Sequence, residues 1–273
     1  MTSIFNLEDV GFTYPGGSVA LNGVGLSIHP GESIAILGAN GSGKSTLIRM
    51  LDGLVFATSG VVNAFGKPLT EASLRDESAS HAFRRQVGFV FQNSEAQLFS
   101  PTVRDELAFG PLQLGLTPSE TEQRITDVSA LMEIEHLLAR APFHLSGGEK
   151  KRVAIACTLT VNPSVLLFDE PTGGLDPRSQ YWLVELLVRL REAGKTVITA
   201  THDLNIVSTI ASRAIVFSEN HTIAADTACD EVLADMDLLQ SVNLIHPDLH
   251  RHDGVFHAHR HGRKQEHHHS DSH

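Results

Sequence analysis

The chain has 273 residues, of which 41% are hydrophobic, a mean hydropathy of −0.03 and a formal net charge of −11. The length allows one large core, or one core with a small appendix, and the composition is ordinary for a globular protein, so we expect a single large domain. The acidic balance argues against nucleic-acid or anionic-lipid binding over a broad surface, because neutralising phosphates needs clustered Lys and Arg.

The cysteines and the apolar segments indicate where in the cell the protein is expected. Cys157 and Cys229 lie far apart in the chain, do not make a disulfide framework and suit a reducing cytoplasm. We expect both to be buried apolar residues. No stretch has the features of a signal peptide, and no run approaches the roughly 18 apolar residues of a membrane span. Any membrane role is therefore expected to be peripheral.

The N-terminal third predicts two kinds of sheet. Two β-prone segments within the first 30 residues are separated by a turn signal at residues 15–17, which predicts antiparallel strands. From residue 33 onward, apolar strands alternate with helices, which predicts a parallel α/β domain. The helix that begins at Lys44 is expected to end at Gly53.

The rest of the chain reads as helices and buried strands, followed by a tail. Residues 66–86 are polar and weakly patterned, so we expect a surface excursion. Thr117 and Glu120 form a capping-box pattern that predicts a helix from Pro118 to about Ile134. A leucine stripe between residues 183 and 190 indicates a core-facing helix. Residues 228–245 predict a small helical appendix, and residues 246–273 a disordered, His-rich tail.

A phosphate-binding loop joins the first parallel strand to its helix. Residues 38–45 fit G-x-x-x-x-G-K-[ST], and the strand-to-helix context is the one that this motif requires. Its backbone amides and the helix N-terminus would hold phosphate oxygens, Lys44 would reach the β- and γ-phosphates, and Ser45 would bind Mg²⁺. Thr46 would add a phosphate contact. The loop consists of Gly38, Ala39, Asn40, Gly41, Ser42, Gly43, Lys44 and Ser45.

Two acids end a later apolar strand. Asp169 and Glu170 follow residues 165–168. At the carboxyl end of a buried strand, Asp169 can hold Mg²⁺ and Glu170 can orient and polarise the attacking water. Solvated surface acids are the alternative, which the phosphate loop makes the weaker interpretation.

Five further features carry a resemblance to ABC-type ATPases. The segment Leu145–Glu149, LSGGE, closely resembles the signature of that family and lies between the phosphate loop and the acidic strand, in the family's order. Gln92 resembles the Q-loop glutamine, Asp176 the D-loop aspartate and His202 the switch histidine. Tyr14 resembles the aromatic residue that stacks on adenine.

The resemblance implies a fold and a mechanism. The implied fold is an antiparallel β subdomain, a RecA-like parallel-sheet core and a helical signature subdomain at about residues 93–160, all within a cassette of residues 1–227. Two cassettes would pair head to tail, with ATP held between the Lys44 loop of one and Ser146, Gly147 and Gly148 of the other. Mg²⁺ would be held at Ser45, Gln92 and Asp169, His202 would position the γ-phosphate, and Asp176 would communicate across the interface. Because both half-sites are complete, we expect a homodimer.

The stretch after Gln92 resembles energy-coupling-factor importers. Residues 101–109 predict a short helix that brings Leu98, Phe99, Val103, Leu107 and Phe109 near one apolar groove. In that group the segment receives a coupling helix from a transmembrane subunit, which works with a membrane substrate-binding subunit. The implied location is the cytoplasmic face of a bacterial or archaeal cell membrane, with no nucleic-acid partner.

Cargo is not encoded in these motifs, because the ATPase does not touch it. The expected homodimer favours the cobalt and nickel importers, which commonly use a dedicated ATPase. A vitamin importer, for biotin or riboflavin, is the nearest alternative. A non-transport ABC ATPase and a metal-storage protein with a nucleotide fold are the third and fourth.

Ten of the 28 residues from His246 to His273 are histidine. Interleaved residues argue against a purification tag, and neutral imidazoles can ligate metal. Spacings such as His257, His259 and His261 suit weak, exchangeable Co²⁺ or Ni²⁺ sites. A tail that buffers or senses metal and a solvated tail without a role both remain open. Deleting residues 246–273 is expected to leave ATP hydrolysis intact.

Overall fold

The computed structural model describes residues 2–245, 249–252 and 255–258, which form two sheets, surrounding helices and a C-terminal hairpin. The strands are β1 (Phe5–Thr13), β2 (Val19–Ile28), β3 (Ser33–Leu37), β4 (Ser59–Ala64), β5 (Lys67–Pro68), β6 (Val87–Val90), β7 (Val165–Asp169), β8 (Thr196–Ala200), β9 (Arg213–Phe217), β10 (Ile223–Ala228), β11 (Leu249–His252) and β12 (Val255–Ala258). The α-helices are α1 (Lys44–Leu51), α2 (Glu71–Leu74), α3 (Glu77–Arg84), α4 (Val103–Gln113), α5 (Pro118–Leu131), α6 (Gly147–Thr160), α7 (Pro177–Glu192), α8 (Leu204–Ile210), α9 (Cys229–Ala234) and α10 (Met236–Ser241).

The first sheet is antiparallel, in the order β2-β1-β4-β5, which confirms the predicted pairing of the first two strands. The second has the order β10-β9-β3-β8-β7-β6, in which β10 runs antiparallel at one edge and the other neighbours are parallel. Its register aligns Ile36 of β3 with Ala200 of β8, and Ala200 with Asp169 of β7. The strand ends that carry the phosphate loop and the two acids therefore meet at one edge. The α/β fold class is confirmed.

The parallel sheet separates two hydrophobic cores. Alternate residues of β3 face opposite sides, with Ala35 and Leu37 in a core built with the helices α4 to α10. Ile34 and Ile36 lie in the other core, with α1 and the antiparallel sheet. Each fully buried aliphatic side chain contributes roughly 1.5–3 kcal/mol, so both faces stabilise the strand ends that hold the site.

The helix after Gln92 begins later than predicted. Residues 101–109 were expected to be helical from a Ser100 cap, but α4 runs from Val103 to Gln113 and its cap is Thr102, whose hydroxyl accepts from the Asp105 amide at 3.2 Å. The amides of Phe99 and Ser100 instead donate to the buried Glu106 carboxylate at 2.9 and 2.6 Å. That carboxylate holds the preceding segment in a turn.

One further helix end needs correction, whereas residues 66–86 are mostly exposed, as expected of a surface excursion. The helix from Pro118 ends at Leu131 rather than near Ile134, because Glu133 takes a positive φ of 57° that breaks the helical pattern. The capping box of Thr117 and Glu120 is confirmed. The surface excursion at residues 66–86 contains β5, α2 and α3, and α3 buries Phe83.

The C-terminal part of the described chain consists of β10, two short helices and a hairpin. The predicted appendix contains α9 and α10, which bury Val232, Leu233 and Leu239 against the helical core. Cys229 is buried and Cys157 is partly buried, and both are free thiols. Within the segment expected to be a disordered tail, β11 and β12 pair as an antiparallel hairpin. Among residues 2–245, 249–252 and 255–258, no helix has the length and apolar character needed to cross a bilayer.

Candidate functional site

The loop between β3 and α1 is shaped to receive an anion. Lys44 lies back over it, with Nζ donating to the carbonyls of Gly38 at 2.8 Å and Ala39 at 3.1 Å. Gly43 has a φ of 114°, and a Cβ there would collide with the Ala20 carbonyl oxygen, so glycine is required. No side chain caps α1, which leaves its first amides available to a ligand. The Ser42 hydroxyl is buried without a hydrogen-bond partner.

A hydroxyl and a carboxylate meet where Mg²⁺ was predicted. Ser45 Oγ donates to Asp169 Oδ1 at 2.8 Å. Gln92 and Ser45 line one pocket beside the loop. Burial raises the pKa of Asp169, partly opposed by the Ser45 hydrogen bond and by nearby cations. Among side chains that the structure describes, no three His, Cys, Asp or Glu residues converge on a metal site. Ser45, Asp169 and Gln92 instead offer the oxygen ligands that Mg²⁺ prefers, so the residues present fit this ion.

Glu170 is held in a strained and under-bonded position. Its φ is 44° and its side chain is almost fully buried, yet neither carboxylate oxygen accepts a hydrogen bond. Oε2 lies 2.9 Å from His202 Nδ1 without hydrogen-bond geometry, and Oε1 lies 3.8 Å from Lys44 Nζ. A buried carboxylate with free lone pairs can accept hydrogen bonds from a water, as a general base requires.

Electrostatics at Lys44 reflect two opposing effects. Burial lowers the pKa of Lys44, while the charges of Glu170 and Asp169 partly restore it. Polyphosphate oxygens would add anionic partners for the Lys44 ammonium to those that Glu170 and Asp169 already provide.

Nine of the predicted site residues line one pocket of about 370 Å³. In this pocket, Tyr14 Oη lies 2.9 Å from Thr46 Oγ1, and the Tyr14 ring meets Phe12 edge-on at 4.9 Å. These contacts fix the ring next to the loop. The predicted residues that line the pocket are Tyr14, Asn40, Gly41, Gly43, Lys44, Ser45, Thr46, Gln92 and Glu170.

The signature residues lie elsewhere. Ser146 caps α6 in a reciprocal capping box with Glu149, whose pKa is lowered by hydrogen bonds from the Ser146 amide and hydroxyl. Gly147 lines a separate pocket with Gln92 and Leu175. Gly148 follows Gly147 in the first turn of α6. In this chain the second anion-binding helix end therefore does not line the nucleotide pocket.

Asp176 and His202 do not line the main pocket. Asp176 caps α7 by accepting from the amides of Arg178 at 3.0 Å and Ser179 at 3.1 Å, and the Ser179 hydroxyl lowers its pKa. His202 lines a third pocket with Gly173 and Ile245. Of the predicted tail ligands, His257 lies on β12, while His259 and His261 lie outside the described residues.

Sequence reasoning missed two residues of the site. Lys151 of α6 is buried and donates to the carbonyls of Phe91 at 3.2 Å and Gln92 at 3.1 Å, and burial lowers its pKa to about 8. Its chain neighbours, Lys150 and Arg152, are also basic, so no local signal distinguishes Lys151. His221 follows β9, lines the nucleotide pocket and places Nδ1 3.3 Å from the Ser42 carbonyl. No local motif marks His221.

Known proteins are similar to this chain in sequence and in fold. A model of the ABC transporter family matches residues 21–173. An ABC transporter ATP-binding protein of Methanosarcina acetivorans, whose name states no cargo, is 50% identical over 92% of each chain. The nickel import ATP-binding protein NikO of Rhodobacter capsulatus is 49% identical over 248 residues, 90% of this chain and 97% of NikO.

Among solved structures, cbiO1 of Clostridium perfringens, part of the ABC transporter complex cbiONQ, superposes with a TM-score of 0.76 at 35% identity. The match covers 90% of this chain and 97% of cbiO1. With its phosphate loop, signature helix and acidic pair in family order, the chain belongs to the ABC transporter family, as an ATP-hydrolysing subunit.

Proposed function

We propose that the protein is the ATP-hydrolysing subunit of a cobalt or nickel importer of the energy-coupling-factor type, bound at the cytoplasmic face of a bacterial or archaeal membrane. The observation that carries the cargo proposal is the near full-length similarity to a nickel import ATPase and to cbiO1. A vitamin importer is the alternative, since the nucleotide site is the same for either cargo.

ATP is the substrate that the main pocket fits. Its phosphates would lie on the α1 amides and Lys44, and its adenine against Tyr14. When bound at Ser45, Asp169 and Gln92, Mg²⁺ supplies positive charge that offsets charge on the phosphates. The buried, unpartnered Ser42 hydroxyl supports a ligand in the loop.

Hydrolysis would be carried by Glu170 and His202. Glu170 Oε1 and Oε2 have free acceptor capacity, so this carboxylate would take a proton from the attacking water. His202 Nδ1, 2.9 Å from Oε2, would orient the carboxylate and the γ-phosphate. The positive φ of Glu170 holds the carboxylate at the edge of the sheet, where the water would lie.

A homodimer would complete each site. Ser146, Gly147 and Gly148 open a helix that can bind an anion, but they do not line their own chain's nucleotide pocket. Head-to-tail pairing would bring them to the γ-phosphate bound by the partner's Lys44. Asp176, capping α7 near this surface, would lie at the interface and communicate between the sites.

The surface after Gln92 would receive the transmembrane coupling subunit. Phe99 and Phe109 are 67% and 45% exposed and meet edge-on at 4.9 Å, and Leu112 is 49% exposed. The predicted groove residues therefore fall into two groups. Val103 and Leu107 are fully buried, whereas Phe99 and Phe109 are exposed. Phe99 precedes α4 and Phe109 lies on it. This exposed aromatic pair, close in sequence to Gln92, would receive a coupling helix of the membrane subunits and link it to the nucleotide site.

Purification of the complex from native membranes tests this proposal. We expect a transmembrane coupling subunit and a substrate-binding subunit to co-purify with the chain, and bound Co²⁺ or Ni²⁺ to be detected by mass spectrometry. A bound vitamin would establish the alternative cargo. ATPase activity without membrane partners, stimulated by DNA or ribosomes, would contradict a transport function.

A further inference from the structure

The helical appendix ends in a short segment that reaches two sides of the ATPase site. Asn243 takes a positive φ of 55° just beyond α10, a conformation for which Asn is well suited at the end of a helix. The Leu244 amide then donates back to the Leu239 carbonyl at 2.9 Å. This bond and the turn at Asn243 fix the direction in which the chain leaves the helix. We refer to residues 243–245 as the C-terminal strap.

The first contact of the C-terminal strap is with the turn between β9 and β10. Asn243 Nδ2 donates to Glu219 Oε1 at 2.6 Å. Two residues further along the turn, His221 lines the nucleotide pocket and places Nδ1 3.3 Å from the Ser42 carbonyl oxygen. The His221 carbonyl accepts from the Asn22 amide at 2.9 Å, which anchors the other side of the turn to β2. Asn243 therefore helps to hold the turn that brings His221 to the phosphate loop.

The second contact of the C-terminal strap is with the surroundings of His202. Leu244 and Ile245 line a cavity of about 380 Å³, which His202 and Gly173 also line. Ile245 is 7% exposed, whereas the His202 side chain is 62% exposed. The buried Ile245 side chain thus bounds the space into which the segment that carries His202 could shift.

We propose that the C-terminal strap positions both parts of the site. Asn243 acts on nucleotide binding, through Glu219 and His221, and Ile245 acts on the hydrolysis step, through His202. The first effect comes from a directional hydrogen bond, and the second from the volume that Ile245 fills beside the cavity. The action of Ile245 rests on the proposed role of His202 in hydrolysis, whereas neither action depends on the cargo of the transporter. Asn243 and Ile245 are thus positioning residues that act through other side chains.

Two nearly adjacent positions should therefore control different kinetic constants. A substitution that raises KM with kcat unchanged has removed binding that is equal in the ground and transition states, whereas one that lowers kcat with KM unchanged has removed an interaction made in the transition state. An appendix that only stabilised the fold would not separate the two constants in this way. Steady-state ATP hydrolysis by the full-length chain measures both constants.

Asn243→Gly removes the amide side chain and keeps a residue that accepts a positive φ. We expect KM for ATP to rise about twofold to fivefold with kcat unchanged, because one lost hydrogen bond loosens the turn that carries His221. Glu219→Ala should reproduce this change, and the conservative Glu219→Gln, which keeps an acceptor for Asn243, should restore KM to near the wild-type value. Asn162→Gly is the matched control. Asn162 is also exposed, has a φ of 58° and accepts from Lys195 Nζ at 2.7 Å, but it does not line the nucleotide pocket.

Ile245→Ala enlarges the cavity beside His202. We expect kcat to fall at least about threefold with KM for ATP unchanged, because a displaced catalytic side chain slows the chemical step. Ile245→Leu conserves the volume and should restore most of the lost turnover. Val232→Ala, at a buried position of the same appendix that lines neither pocket, controls for lost packing and should leave both constants unchanged.

Circular dichroism should show the same secondary structure in every variant as in the wild type. Unchanged KM in Asn243→Gly, or an equal rise in Asn162→Gly, would overturn the proposal. Unchanged kcat in Ile245→Ala, or an equal fall in Val232→Ala, would overturn it as well. His202→Ala is measured alongside, because normal kcat in that variant would refute the role of His202 itself. Low kcat in His202→Ala with normal kcat in Ile245→Ala would refute the action of the C-terminal strap alone.

Discussion

At the scale of single residues, Glu170 departs most from ordinary protein chemistry. It combines a positive φ, near-complete burial and two carboxylate oxygens without hydrogen-bond donors. Each of these features costs free energy in the resting protein. Such costs concentrate where a side chain must be free to bind a reacting water.

Replacing Glu170 by Gln removes the base while keeping the shape of the side chain. We expect ATP binding to persist and kcat to fall at least roughly 10²-fold, the scale of general-base catalysis. Steady-state phosphate release measures the fall in kcat, and equilibrium nucleotide binding measures whether ATP affinity persists. Glu185→Gln, on the exposed face of α7, is the matched control and should retain wild-type turnover. Near-normal turnover of Glu170→Gln would contradict the assignment.

His221 provides a second prediction at this scale. Its ring contacts the Ser42 carbonyl, and its φ of 62° favours Asn over Ala as a replacement. We expect His221→Asn to raise KM for ATP about threefold to tenfold with little change in kcat, the range that one hydrogen bond spans. His81→Asn, on exposed α3, serves as the control. A change in kcat alone would place His221 in the hydrolysis step instead.

At the scale of elements, buried strands and capped helices were predictable, whereas contacts distant in sequence were not. The residues of β3 and β7 are apolar throughout, and Thr117 and Ser146 carry local capping signals, so these elements begin as expected. The start of α4 depends on Glu106 accepting two amides seven and six residues earlier, a tertiary choice that outweighs the Ser100-Pro101 signal.

The same limit explains what the site concealed. Family order and motif spacing located Lys44, Asp169 and Glu170, because each ends or begins an element with a clear pattern. Lys151 acts through the backbone of Gln92, and His221 through that of Ser42. Every residue has a backbone carbonyl, so the sequence cannot indicate which side chain binds it. These two contacts are visible only in the structure.

Adjacent lysines on α6 separate positioning from surface charge. Lys151 joins α6 to the Gln92 loop, whereas Lys150 pairs with the exposed Glu95. We expect Lys151→Met to lower kcat about threefold or more with KM for ATP unchanged, because the loop that carries Gln92 loses two hydrogen bonds. Lys150→Met should change neither constant, since an ion pair whose carboxylate, here Glu95, is largely exposed contributes about 0–1 kcal/mol. Identical kinetics of the two variants would remove the positioning role.

The contact between α1 and α3 should make stability depend on pH. Burial raises the pKa of Asp52 from 3.8 to about 6, although Arg84 opposes the shift. The folded state thus holds this proton more tightly than the unfolded state. The cost of ionising Asp52 is absent below about pH 4 and complete above about pH 6, so its contribution to stability falls as pH rises between these values.

Asp52→Asn removes this titration. Relative to the wild type, its free energy of unfolding should rise by up to about 3 kcal/mol from pH 4 to pH 7, on the scale of about two pKa units. Urea denaturation of the nucleotide-free protein at several pH values measures the difference. A difference that is constant with pH would show that Asp52 titrates normally in the folded protein.

At the scale of the whole molecule, the residues predicted to form the ATPase site lie on separate surfaces of the described chain. Lys44, Asp169 and Glu170 lie at one sheet edge, while Ser146 and Gly147 open α6 beside another pocket. This division favours a dimer whose opening and closing follows the γ-phosphate. The exposed Phe99 and Phe109 would pass that motion to the membrane subunits.

Uptake of radiolabelled Co²⁺, Ni²⁺ and biotin by intact cells tests the central claim most directly. Cells carrying the wild-type chain are compared with cells carrying Lys44→Ala, which removes the phosphate-loop ammonium, and with Lys67→Ala, an exposed lysine of β5 as the matched control. We predict that Co²⁺ or Ni²⁺ uptake is lost in Lys44→Ala alone, while biotin uptake is equal in all three. Metal uptake that persists in Lys44→Ala cells would contradict the account.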